Sequence, residues 1–145
     1  MRTTTQADLA VRLRLAIART ARRLRQEAGE ELSPSQTAAL ATIDRHGPLT
    51  PSELATRERI QRPTVTRIVA RLEEGGLVQR TRDPQDGRSS LVALTAEGHE
   101  LLARGRKRKN AYLARRLREL DAEDRAALQR AAAILERLLE EEGRR

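Results

Sequence analysis

Ser33-Pro34-Ser35-Gln36 and Thr50-Pro51-Ser52-Glu53 are two copies of one helix-starting device, set close together in the chain. In each, a hydroxyl residue can cap the helix and a proline presets the first helical φ. An amide or carboxylate three residues on can fold back onto the cap. Gly47 closes the first segment, so the second helix of the chain is short and well bounded. The third starts at once from Thr50 and ends near Glu58. After a break at Arg59-Ile60-Gln61-Arg62, Pro63 opens another helix, which Gly75 and Gly76 end.

Longer helices flank this punctuated middle. Leu9, Leu13, Ile17 and Leu24 recur at helical spacing until Gly29. Thr95 caps a helix running through Leu101, Leu102, Leu113 and Leu117, and Asp121 with Asp124 begins a last one carrying Leu128, Leu135, Leu138 and Leu139. Between Gly76 and Thr95 lie two short β-type segments, LVQRTRD and SSLVALT, joined by the polar stretch DPQDGR, which predicts a two-stranded hairpin. The fold class expected is mainly α with one small β-hairpin. A composition of 38% hydrophobic, 34% charged and 1% aromatic residues suits helices packed through aliphatic stripes.

The formal net charge of +8 points to a polyanionic partner, and its distribution is regional. Residues 57–88 carry eight arginines against five acids, residues 101–118 carry eight bases and no acid, and residues 119–145 are net negative. The absence of cysteine excludes a disulfide framework, a thiolate zinc site and a cysteine redox sensor. No P-loop, HExxH, GxSxG or strand-linked GxGxxG is present, and His46 and His99 are far apart in sequence. An enzyme, a metal site and a cofactor are therefore not expected. No apolar run approaches the roughly 18 residues that span a bilayer, so a cytoplasmic location away from membranes is expected.

On a helical wheel the set Val65, Ile68, Val69 and Leu72 clusters on one side of the helix opened by Pro63. Pro63, Thr66, Arg67, Ala70 and Arg71 point the other way, with Arg62 and Thr64 flanking near the N-terminus. A helix entering a major groove needs such a face. Small residues let the backbone approach, hydroxyls meet phosphates or base edges, and arginine can grip guanine O6 and N7 together. A short helix, a tight break, a second helix with a cationic outer face and then a hairpin make the winged helix-turn-helix arrangement. Thr50, Ser52 and Arg82 are further candidates for phosphate contacts.

The run QRPTVTRIVARLEEGGLVQR, then DPQDGR, then LVALTAEG resembles the signature of the MarR family (multiple antibiotic resistance regulators) over Leu49–Gly98. The flanking helices fit that family's architecture over nearly the whole chain. The resemblance implies a homodimer built from the first and last two helices, with two winged domains reading the halves of a near-palindromic operator in double-stranded DNA. It implies a single domain over 1–145, in which 1–30 and 96–145 are dimerisation helices. The winged part is 33–95, with the helix-turn-helix at about 51–76 and the wing at about 77–95. It places Thr64, Thr66 and Arg67 in or near the major groove, and Arg88 at the wing tip in the minor groove, braced by Asp86. A narrow minor groove is strongly negative, so a guanidinium held on a thin hairpin can enter it with little base information, and Asp86 could hold Arg88 by a charge-assisted bond. Many relatives place a second arginine where this chain has Gly87, which eases the turn and removes one phosphate contact.

Dimerisation also has a physical basis, because a winged domain of about 65 residues cannot by itself cover the aliphatic stripes of three long helices. The resemblance further implies release from DNA by a small phenolic or aromatic-acid effector. Candidates for its pocket are Arg19, Arg23, His46 and Tyr112. The basic run RGRKRKNAYLARRLR is expected to be solvated, since its arginines spread around the helix. The competing reading of the charge is a sequence-tolerant basic protein that packs nucleic acid without base readout.

Overall fold

A computed structural model of the chain describes residues 3–88 and 90–144. Its elements run α1 (Gln6–Glu27), α2 (Pro34–His46), α3 (Pro51–Glu58), α4 (Arg62–Glu74), β1 (Val78–Arg82), β2 (Ser90–Leu94), α5 (Ala96–Arg118) and α6 (Ala122–Gly143). The predicted mainly helical fold with one hairpin is what the chain adopts. Two compact units divide it, Met1–Lys109 and Asn110–Arg145, with the boundary inside α5.

The first unit holds the core. Leu40 and Ile43 of α2, Leu54 of α3, and Val65, Val69 and Leu72 of α4 close on Val92 of the hairpin, all essentially without exposure. Leu49, Val78, Ile68 and Leu102 complete the cluster. Each such side chain stabilises the fold by about 1.5–3 kcal/mol relative to exposure, and the apolar face read from the α4 wheel is the face that is buried.

Caps form where the sequence places them. Ser33 Oγ accepts from the Gln36 N–H at 3.2 Å while Gln36 Oε1 accepts from the Ser33 N–H at 3.0 Å, a complete capping box. At Thr50 the box is half made. Its Oγ1 accepts from the Glu53 N–H at 3.1 Å, but the Glu53 carboxylate takes a hydrogen bond from the Thr50 hydroxyl instead of from the cap's backbone. A third box, at Thr5 and Asp8, starts α1. Hydrogen bonds from the Thr5 side chain and backbone hold the Asp8 carboxyl below its usual range.

Between α3 and α4 the chain turns through Arg59, the one non-glycine with positive φ among the described residues, at φ 54 and ψ 43. The Ile60 N–H then reaches back to the Ala55 carbonyl at 3.1 Å, and Ile60 packs on the core. This left-handed helix ending with an apolar anchor makes the turn tight. Helix α4 begins at Arg62, one residue before Pro63, with Gln61 as a cap that makes no side-chain bond.

The hairpin pairs β1 and β2 antiparallel, with Val78 opposite Leu94 and Arg82 opposite Ser90. Leu49 adds an isolated bridge to Val92, with N–H to carbonyl bonds of 3.1 and 2.7 Å in the two directions. The wing is thereby sewn to the segment between α2 and α3. At its base, Thr95 accepts from the Gly98 N–H at 3.1 Å as the cap of α5, and its hydroxyl donates to the Gly76 carbonyl at 2.6 Å. Helix α5 passes so close to this strand that a Cβ on Gly98 would lie 2.2 Å from the Leu77 carbonyl oxygen.

In the second unit, Asp121 caps α6 by accepting from the Asp124 N–H at 2.8 Å. Arg125 reaches back to the Leu117 and Leu120 carbonyls and closes the end of α5.

Two glycines of α5 should therefore respond oppositely to alanine. Gly98→Ala is expected to destabilise by about 1–3 kcal/mol, because a backbone carbonyl must move. Gly105→Ala, whose Cβ meets nothing within 4 Å, should gain about 0.5–1 kcal/mol from helix propensity. Urea midpoints at one fixed protein concentration measure both.

Candidate nucleic-acid interface

Burial of Val65, Ile68, Val69 and Leu72 turns the opposite side of α4 outward. Arg62, Pro63, Thr66, Arg67 and Arg71 are exposed there, while Thr64 is half-buried. Thr66 donates its hydroxyl proton to the Arg62 carbonyl at 3.0 Å, which leaves the oxygen presented as an acceptor. Arg62 donates to Ser52 Oγ, so the N-terminal turns of α3 and α4 are tied together, and a residue of the candidate reading face meets a candidate phosphate-contact residue. Thr50, the cap of α3, belongs to the same end of that helix.

The wing tip is exposed from Pro84 to Arg88. Asp83 Oδ1 accepts from the Gln85 N–H at 2.9 Å, and Asp86 Oδ1 accepts from the Arg88 N–H at 3.1 Å. This bond from Asp86 holds the Arg88 main chain. Two consecutive Asp-anchored turns shape the tip and position Arg88 at its Cα. Gly87 does not have positive φ, and a Cβ there would meet only the Arg82 side chain, at 4.0 Å. Glycine is thus not required by the turn. At the wing's base, Arg80 Nε pairs with Glu73 Oε2 of α4 at 3.3 Å.

The arginines of the basic run of α5 are exposed, as expected, but part of the run also pairs with other segments. Within the first unit, Arg106 pairs with Asp44 of α2 at 3.1 Å, Arg108 donates to the Ala28 carbonyl at 3.1 Å, and Lys109 pairs with Glu30 at 2.9 Å. His99 Nδ1 also lies 3.1 Å from Asp44 Oδ1. These residues hold α5 against α2 and against the link between α1 and α2. A signal existed in the sequence: Asp44 sits in the last turn of α2, where the helix dipole disfavours a negative charge, so an external cation was to be sought. In the second unit the Arg115 guanidinium lies over the Tyr112 ring, 5.5 Å from its centroid.

The four effector candidates fall as follows. Arg19 is exposed on α1, Arg23 pairs with Glu27 at 3.0 Å, and His46 Nε2 lies 3.3 Å from Arg57. Tyr112 belongs to the second unit. A cavity of about 310 Å³ in the first unit is lined by other residues, among them Arg22, Arg25 and Glu30. Among the described residues no group of three or more His, Cys, Asp or Glu side chains could hold a metal ion, and no helix is long and apolar enough to cross a membrane.

A buried-faced helix with a cationic outer side, tied to a preceding helix and followed by a hairpin, defines a winged helix-turn-helix DNA-binding protein. Residues 32–90 match the MarR family. A helix-turn-helix transcriptional regulator of Mycobacterium leprae is 39% identical over 93% of this chain and 95% of its own length. The transcriptional repressor MdtR of Bacillus subtilis is 38% identical over 64% of this chain and 60% of its own length. A crystal structure of a transcriptional regulator from Pseudomonas aeruginosa superposes with a TM-score of 0.82 at 36% identity, covering 95% of this chain and 99% of that one. The chain belongs to the MarR family of transcriptional regulators.

Removing Asp44 should unpair His99 and Arg106 together. Both partners are more than half exposed, at 59% and 53%, so Asp44→Ala is expected to cost only about 0.5–1 kcal/mol. Raised salt should shrink the difference from the unaltered protein in paired urea melts.

Proposed function

We propose that this regulator is a homodimeric repressor that binds a near-palindromic operator and leaves it when a small aromatic or anionic ligand binds. The observation that carries the DNA reading is the outer face of α4, small and cationic from Arg62 to Arg71. Thr64, Thr66 and Arg67 meet base edges in the major groove, with Pro63 allowing close approach and Arg62 and Arg71 at its margins. Thr50, Ser52 and Arg82 contact phosphates. Arg88, positioned by Asp86, enters the flanking minor groove.

Dimerisation is supported by apolar residues left exposed in each unit. These are Leu9, Val11, Leu13 and Ile17 on α1, and Leu128, Ile134, Leu138 and Leu139 on α6. Such stripes call for a twofold partner, which would set two recognition helices roughly 34 Å apart along the duplex. The repressor assignment rests on the name of the B. subtilis relative, and effector control rests on family resemblance. A sequence-tolerant packer would share the positive face but not a strong preference for one site.

Selecting bound duplexes from a random pool with the purified protein tests the central claim. A recovered palindrome bound about 10³-fold tighter than random duplex is expected, and equal binding to all sequences would sink it. Arg88→Ala should weaken operator binding and flatten the preference for A·T pairs beside each half-site; unchanged affinity at matched salt would refute its groove role. Gly87→Arg should leave stability unchanged and steepen the log K against log salt slope by about 1 per subunit. Leu138→Glu should shift the protein toward monomer in sedimentation velocity.

A further inference from the structure

Among the described residues four have φ in the left-handed region, and three of them, Gly29, Gly47 and Gly76, are glycines that follow α1, α2 and α4. The fourth is Arg59, at φ 54 and ψ 43, which ends α3. A Cβ in that conformation crowds the following carbonyl oxygen, a strain that glycine escapes. The turn itself does not ask for a long side chain. Its closing bonds come from the main chain, with the Arg59 N–H on the Thr56 carbonyl and the Ile60 N–H on the Ala55 carbonyl, and Ile60 supplies the apolar anchor. The negative end of the α3 dipole already has a cation in its last turn, Arg57. Arg59 is exposed, and among the described residues no hydrogen bond or ion pair reaches its guanidinium. The neighbouring Glu58 carboxylate accepts from the Thr42 hydroxyl instead. A strained position filled by a long, exposed cation points to function as the reason for the residue.

We infer that Arg59 is a further phosphate-binding residue, gripping the DNA backbone beside the groove that α4 enters. In a helix-turn-helix the first helix crosses the sugar–phosphate backbone, while the N-terminal residues of the second reach base edges. The turn joins these two places. Here it carries Arg59 three residues before Arg62, whose guanidinium is bonded to Ser52 at the start of α3. The cation therefore stands at the N-terminal end of the reading face. A guanidinium suits a phosphate because its N–H groups form a fork that two oxygens can meet. Such a contact fixes the protein on the duplex and adds affinity for every sequence alike. Glycine at this position would relieve the backbone and remove a charge from the reading surface, which is the physical reason to keep the strain. The inference rests on the DNA reading of α4 given above.

Fluorescence anisotropy of the full-length protein on the selected duplex and on a random duplex of equal length tests this, with urea melts and sedimentation velocity alongside. Arg59→Gly is expected to weaken binding to both duplexes severalfold at matched salt. It should also flatten the log K against log salt slope by about 1 per subunit. Its urea midpoint should hold or rise, and its sedimentation should match that of the unaltered protein. Arg59→Lys should keep most of the affinity and of the slope, because a phosphate accepts a point charge. Unchanged affinity or slope in Arg59→Gly, a lower urea midpoint, or a shift toward monomer overturns the inference. So does a loss in Arg59→Lys as large as that in Arg59→Gly. Arg67→Ala separates the inference from the reading beneath it. Should Arg67→Ala lower affinity for the selected duplex while Arg59→Gly does not, the inference alone falls. Should neither alter binding to either duplex, the DNA reading of α4 falls with it.

Discussion

The reading surface depends on one close approach of backbone to backbone, where the start of α5 presses on the strand that leaves α4. Only a hydrogen atom at residue 98 allows it, since a Cβ would overlap the Leu77 carbonyl. The same few residues share several hydrogen bonds. The Leu77 carbonyl accepts from the Thr95 N–H at 3.0 Å, and the Thr95 hydroxyl joins the Gly76 carbonyl to the first turn of α5. The end of the recognition helix, the base of the wing and the root of α5 are therefore one rigid junction.

Charge is divided between two tasks. The arginines of α4 and the wing tip are exposed, which suits a surface that meets phosphates and grooves. The four basic residues of α5 from Arg106 to Lys109 continue that charge in sequence, but most of them also tie segments of the first unit together. Three of them reach acids or carbonyls on α2 and on the α1–α2 link. Exposed pairs of this kind are individually weak. Lys109 with Glu30 is the most buried of them.

Local chemistry was legible and tertiary exchange was not. Caps at Ser33, Thr50, Thr95 and Asp121 depend on residues three positions apart, and the α4 core face depends on residues within two turns, so inspection of the sequence finds them. The Leu49–Val92 bridge was missed because Leu49 is one apolar residue between a Gly-Pro corner and a helix cap, too short to show any period. The half-made box at Thr50 and the main-chain bond from Asp86 to Arg88 are choices among partners that lie equally near in sequence. The α5 arginines are exposed, as their spread around the helix predicts, but that spacing says nothing about the acids more than 60 residues away that Arg106 and Lys109 meet.

By itself, then, the sequence determined the helical punctuation, the buried and outward faces of α4, the polar wing tip and the membership of a DNA-binding family. All of these follow from interactions within a few residues or within one helix. Only the tertiary structure decided which cations face outward and which are taken up by Asp44 and Glu30. It also revealed the backbone contact at Gly98 and the cavity beside Glu30. Those depend on distances between segments far apart in the chain, which folding sets when it closes the aliphatic core around Leu40, Val69 and Val92.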